Sequence, residues 1–187
     1  AYEQDNNTSN GKEAIEWLVL AKEGDKTLVI SRYALDCQQY NTSYTNVTWE
    51  TCSLRKWLNE TFISNAFSSD EQKLIQNTTV TADKNPTHGT SPGKNTTDKV
   101  FLFSVNEAER YFSSDNVRAC KPTQYALANG AYANNNNSNC CWWLRSPGIY
   151  QNDAAFVRGG GNVYVNGDDV NDTSVAVRPA MWIEFGT

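Results

Sequence analysis

Apolar and polar positions set out the first elements of the chain. From Ile15 to Ser31 the apolar run IEWLVLA is followed by a polar EGDK turn and then by alternating TLVIS, which predicts a hairpin of two core strands. In SLRKWLNETFISNAF, Leu54, Trp57, Leu58 and Phe62 fall at helical spacing, so one face of a helix turns inward. Ser68 with Glu71 and Ser104 with Glu107 form capping boxes, each able to satisfy free N–H groups at a helix start. They predict helices near Ser68 to Ile75 and Ser104 to Phe112. Pro122, whose missing N–H costs nothing at a first helical position, predicts another from Pro122 to Ala128. Between these lies a Gly/Pro/Asn/Thr loop, Asp83 to Thr97, followed by VFLFS as a short buried strand.

From Gly130 the pattern becomes short strands divided by Gly and Asn turns: CWWLRS, AAFV, NVYV and VAVRPAMWIEF. No helix signal follows Ala128. The expected architecture is α+β, one domain over 1–187, with the helices on a sheet in which the two ends of the chain pair.

Composition changes at the same place. No Lys follows Lys121 and the only later Glu is Glu184; Asn, Asp, Ser, Gly and Tyr replace them. Such a polar tract is ordinarily a linker. Here it alternates with aromatic and β-branched strand residues, which hold the loops in place.

At 187 residues, with 39% hydrophobic and 12% aromatic residues, the chain has enough apolar surface for a core. A net charge of -5 argues against nucleic acid as a partner, because phosphate recognition needs clustered Lys and Arg. No apolar run reaches membrane-span length, and the first residues lack a signal-peptide core, so direct membrane insertion is not expected. The five cysteines leave two readings open: buried thiols, or one Cys37 to Cys52 bridge. The single histidine, His88, reads as an exposed loop residue rather than a general base.

The stretches WWLRSPG (Trp142 to Gly148) and AVRPAMWIEF (Ala176 to Phe185) are separated by Gly- and Asn-rich segments and preceded by TWETCSLRKWLN and DKVFLFSVNEAERYF. Together these blocks resemble the variable proteins of diversity-generating retroelements, whose domain is of the C-type-lectin-like, formylglycine-generating-enzyme type. The resemblance implies that fold, a variable region at about 130–176, and a ligand-binding rather than catalytic role. In that family a reverse transcriptase miscopies template adenines, so an Asn codon can become Tyr, Asp, Ser, Gly or Phe, among others, but not Lys, Glu, Gln, Met or Trp. The segment from Gly148 to Val175 has no Lys, Glu, Met or Trp, and only Gln151 departs from the rule.

The composition fits a binding surface, since Tyr and Phe give rigid contact area while Ser, Gly, Asn and Asp give adaptable hydrogen bonds. The expected exposed ligand-binding set is Ile149, Tyr150, Asn152, Asp153, Phe156, Arg158, Tyr164, Asn166, Asp168, Asp169, Asn171, Asp172 and Ser174, gathered on one patch. Trp142, Trp143, Leu144 and Trp182 are expected to be scaffold, with Arg145 and Arg178 satisfied by backbone carbonyls or a carboxylate. Cys140 and Cys141 could themselves be products of variation.

The expected partner is a protein or glycan on a cell surface, which places the chain outside the cell, on its surface or on a phage particle. No catalytic residue, metal or cofactor is expected. A calcium-dependent lectin would need the Glu-Pro-Asn or Gln-Pro-Asp and Trp-Asn-Asp tripeptides of that family, and none occurs. The adjacent Cys140 and Cys141 match the copper-binding cysteines of the oxidases poorly. The remaining alternative is a structural or carbohydrate-binding module of a bacterial surface or phage protein, with no diversified site.

Overall fold

The computed structural model describes residues 1–185. The expected hairpin is formed by β1 (Trp17–Glu23) and β2 (Lys26–Ser31), which pair antiparallel around Gly24. Leu28, Val29 and Ile30 of β2 are buried in the core, and a third strand, β10 (Ala180–Glu184), makes β2 the central strand by pairing along its other edge in antiparallel register, with Ala180 opposite Ile30. The two ends of the chain therefore meet in one three-stranded sheet.

A second sheet has five strands in the order β3 (Asp36–Cys37), β9 (Ala176–Val177), β6 (Trp142–Pro147), β7 (Asp153–Val157) and β8 (Val163–Asp169). The run after Gly130 thus supplies four of its strands and leaves β8 as an edge. Adjacent side chains of β6 point to opposite faces. Trp142 meets Phe112 and Arg178, whereas Trp143 meets Tyr40 and Phe156. Trp142, Trp143 and Leu144 have no solvent exposure and belong to the core. Trp182 is only partly buried, which corrects its expected rank beside the other three.

The helical periodicity is realised as α1 (Ser53–Trp57), which passes through a π-helical turn (Leu58–Phe62) into α2 (Ile63–Ala66). Leu54, Leu58 and Phe62 are buried and Trp57 lies partly buried beside Phe62. Both capping boxes are present, starting α3 (Ser69–Leu74) and α4 (Val105–Tyr111). The helix expected at Pro122 begins later, as α6 (Gln124–Ala128), because the Thr123 hydroxyl caps it by accepting from the Ala126 N–H. Pro122 instead bridges Ala34 in extended conformation.

VFLFS is buried as expected but is not a regular strand. Only Phe101 bridges, to Ala180, and its apolar side chains serve the core without a ladder. A two-stranded ribbon, β4 (Thr78–Val80) with β5 (Thr96–Asp98), takes the last residues of the expected loop, and a short α5 (Asp115–Arg118) follows α4. The fold is α+β.

Arg145 and Arg178 are satisfied as expected. Arg145 donates to the carbonyls of Leu102 and Thr81 and to the Glu107 carboxylate, and Arg178 donates to the carbonyls of Ser31 and Arg118. The possible Cys37 to Cys52 bridge is absent and all five cysteines are free. The Cys37 thiol donates to the Thr173 carbonyl, whereas the Cys52 sulfur accepts from the Arg55 N–H and caps α1.

Candidate functional site

The candidate residues lie on β7, β8 and their flanking turns. Asp153 pairs with Asp169, Ala154 with Asp168, and Phe156 with Tyr164. Between the last two pairs β8 bulges at Gly167, whose φ of 78° and close approach to the Ala154 carbonyl leave no room for a side chain. The bulge breaks the simple alternation of the edge strand.

Contacts join the separated turns. The Ile149 N–H donates to the Asn166 carbonyl, and the Tyr150 N–H approaches the Asp153 carboxylate. Asp172 accepts from the Ser174 N–H and hydroxyl. At the other end Tyr164 meets Phe156 edge-on, and the Arg158 guanidinium lies over the Tyr164 ring, 3.6 Å from its centroid. That guanidinium makes no hydrogen bond or ion pair among the described residues.

Exposure divides the expected set. Ile149, Tyr150, Arg158, Asp168 and Asp169 are exposed, while Asn152, Tyr164, Asn166, Asn171, Asp172 and Ser174 are half-buried. Asp153 and Phe156 are buried, at 9% and 7% exposure, and this corrects the expectation that both face solvent. Phe156 is drawn inward because its pleat position faces Trp143. Asp153 lies under the turn whose Gly148 and Tyr150 N–H groups it receives through its carbonyl and carboxylate.

Clustering of carboxylates shapes the local electrostatics. Burial, then Asp172 and Asp169, pushes the Asp168 carboxyl above its ordinary value; burial, then Asp169 and Asp168, does the same for Asp153. Asp168, Asp169 and Asp172 do not converge as a group of metal ligands. Among the described residues the one convergent acidic trio is Glu3, Asp5 and Glu13, away from this face, and its oxygens accept backbone N–H groups such as those of Gln4 and Asn7.

Residues outside the expected set buttress the site. Asn85, only 1% exposed, donates to the carbonyls of Pro147, Gly148 and Val165 while its own oxygen accepts from the N–H groups of Thr87 and His88. Thr90 donates to the Gly148 carbonyl and Gln151 to those of Val47 and Ser91. The loop after Asp83 is thus the back wall of the turns that flank β7 and of the middle of β8. His88 is exposed, with Nε2 placed 2.7 Å from the Asn166 side-chain oxygen, rather than enclosed. Exposed Tyr44 joins the patch beside Asp169 and Asn152, and Asp169 is the main cause raising its phenol.

Beyond Arg158 a cleft of about 320 Å³ opens between the Asn-rich turn after Ala131 and the Gly159 to Asn162 turn. Tyr132, Asn134, Asn139, Cys141 and Phe156 line it together with Arg158. Sequence reasoning missed Tyr132, although its place beside NNNN within the polar tract was a usable signal.

No curated protein and no solved structure matches the chain. The match to one family runs over residues 24–185, nearly the whole sequence and all of the elements that build this face. The chain therefore belongs to the family described as Domain of unknown function (DUF6273).

Proposed function

We propose that this chain is a ligand-binding protein of the diversity-generating-retroelement variable type, carrying a C-type-lectin-like fold as a single domain. Its variable side chains face a protein or glycan on a cell surface, and the protein works outside the cell, on its surface or on a phage particle. The observation that supports this reading is the division of labour at the β7–β8 edge. Exposed Ile149, Tyr150, Arg158, Asp168 and Asp169 come from separated turns, yet those turns are tied together by backbone bonds and by buried Asn85 beneath them.

A surface that changes residue type needs support that does not depend on those side chains. Backbone pairing and Asn85 provide it. The set open to change is correspondingly narrowed, with Phe156 and Asp153 acting as scaffold. The aromatic members Tyr150 and Tyr164 supply rigid contact area at low entropic cost, and the Asn and Asp residues supply hydrogen bonds around them.

Comparison of this gene with its sister copies tests the proposal. Substitutions confined to adenine-bearing codons and concentrated at the exposed and half-buried positions are expected. Substitutions scattered over the whole surface would favour the structural or carbohydrate-binding module and overturn the reading.

A further inference from the structure

We propose that the cleft beside Arg158 is a subsite for one carboxylated sugar ring, a uronic or sialic acid residue of a glycan. The proposal rests on the reading of this face as a ligand-binding surface and names the chemistry of its anchoring point. At about 320 Å³ the cleft is at the small end of ligand pockets and suits a single ring-sized group.

Three kinds of group converge there. Tyr132 is 56% exposed and presents an aromatic face on which the C–H side of a sugar ring can lie. Asn134, Asn139 and Asn162 line it with side-chain amides, a group type that carries both donors and an acceptor for ring hydroxyls; the Asn134 oxygen already accepts from the Asn136 N–H and keeps its second lone pair. Asn139 is already oriented, because its Nδ2 donates to the Gly159 carbonyl at 3.0 Å.

Arg158 supplies the selectivity. Its guanidinium sits over the Tyr164 ring, 3.6 Å from the centroid, so the fork is positioned before any ligand arrives, and its donors have no acceptor among the described residues. Such a fork matches a carboxylate. Inorganic phosphate can pair with the same fork but brings no ring for Tyr132 and the amides, so it should bind less tightly than an acidic sugar. A wholly apolar peptide side chain would strip water from three amides and return no hydrogen bond.

The test is an NMR shift titration of the whole chain with glucuronic acid, N-acetylneuraminic acid, glucose, inorganic phosphate and N-acetylphenylalanine. At least one acidic sugar should bind about fivefold or more tighter than glucose, the margin of a modest charge-assisted contact. Shifts should centre on Tyr132, Asn139 and Arg158, and the two acids distinguish uronic from sialic recognition. Arg158→Gln should bring the acid-to-glucose ratio near one while amide shifts away from the cleft stay unchanged, and Tyr132→Ala should weaken the sugars together. Equal binding of glucose and both acids, tighter binding of phosphate or N-acetylphenylalanine, or no shift at the cleft would each overturn the proposal. If no sugar binds while sister copies still concentrate their substitutions on this face, the sugar assignment falls and the functional reading stands.

Discussion

Phe156 meets Trp143 edge-on, with ring centroids 6.3 Å apart, and so connects the candidate surface to the centre of the core. Trp143 in turn meets Tyr40, whose hydroxyl donates to the Arg145 carbonyl. A side chain that composition assigns to the variable surface therefore anchors the strand that displays it.

Phe156→Ala should cost about 3 to 5 kcal/mol, as for other buried aromatics, because it leaves a void against Trp143 and Tyr164. Tyr150→Ala, at 66% exposure, should change stability by no more than about 0.5 kcal/mol. Denaturant unfolding of the two variants checks the contrast. Equal costs would return Phe156 to the surface set.

Asn85→Ala should destabilise by about 1 to 3 kcal/mol, since carbonyls of Pro147, Gly148 and Val165 lose a common donor in a buried place. The loss should be local as well as global. Amide hydrogen exchange at Ile149 and neighbouring residues should accelerate more than in the β1–β2 hairpin. Uniform acceleration would show that Asn85 does not specifically hold the turns that flank β7.

Much of the fold was legible because its signals are local. The β1–β2 hairpin shows in the alternation around EGDK, and Ser68 with Glu71 and Ser104 with Glu107 carry their caps within four residues. VFLFS misled because a continuous apolar run reports burial but not whether neighbouring backbone forms a ladder. Asn85 was invisible because its partners lie 62 to 80 residues away. Composition marked out the segment that forms β7, β8 and their turns, but Phe156 and Tyr164 look alike in that composition. Only the pleat and the contact with Trp143 separate the anchor from its partly exposed neighbour.

The cysteines give a chemical check. Cys37 and Cys52 have separate partners, Thr173 and Val175 carbonyls for one and Trp49 and Arg55 for the other. Thiol titration of the denatured, unreduced chain should return five free thiols, matching the five free cysteines of the fold. Reductant should leave the melting temperature unchanged. A return of three thiols, or a melting temperature lowered by reductant, would reveal a bridge.

Acidification from neutral pH towards the ordinary carboxyl range should stabilise the protein. Burial raises the Asp36 carboxyl above its ordinary value of 3.8, against the lowering effect of bonds from Tyr2, Cys37, Asn129 and Gln38. Burial and neighbouring carboxylates raise Asp168 and Asp153 in the same direction. A carboxyl whose folded pKa exceeds its unfolded value binds its proton more tightly when folded. Its stabilising contribution is full below the unfolded pKa and is lost as pH rises through the folded one. The window therefore opens near 3.8 and extends upward through the raised values. Asp5 and Glu71 are shifted downward and oppose the trend, but both sit at the surface, where solvent screens their partners. Melting temperatures measured across this range should rise as pH falls, and Asp36→Asn should flatten the slope. A steady decline on acidification, or an unchanged slope in Asp36→Asn, would show that the buried Asp36 carboxylate does not set the pH dependence.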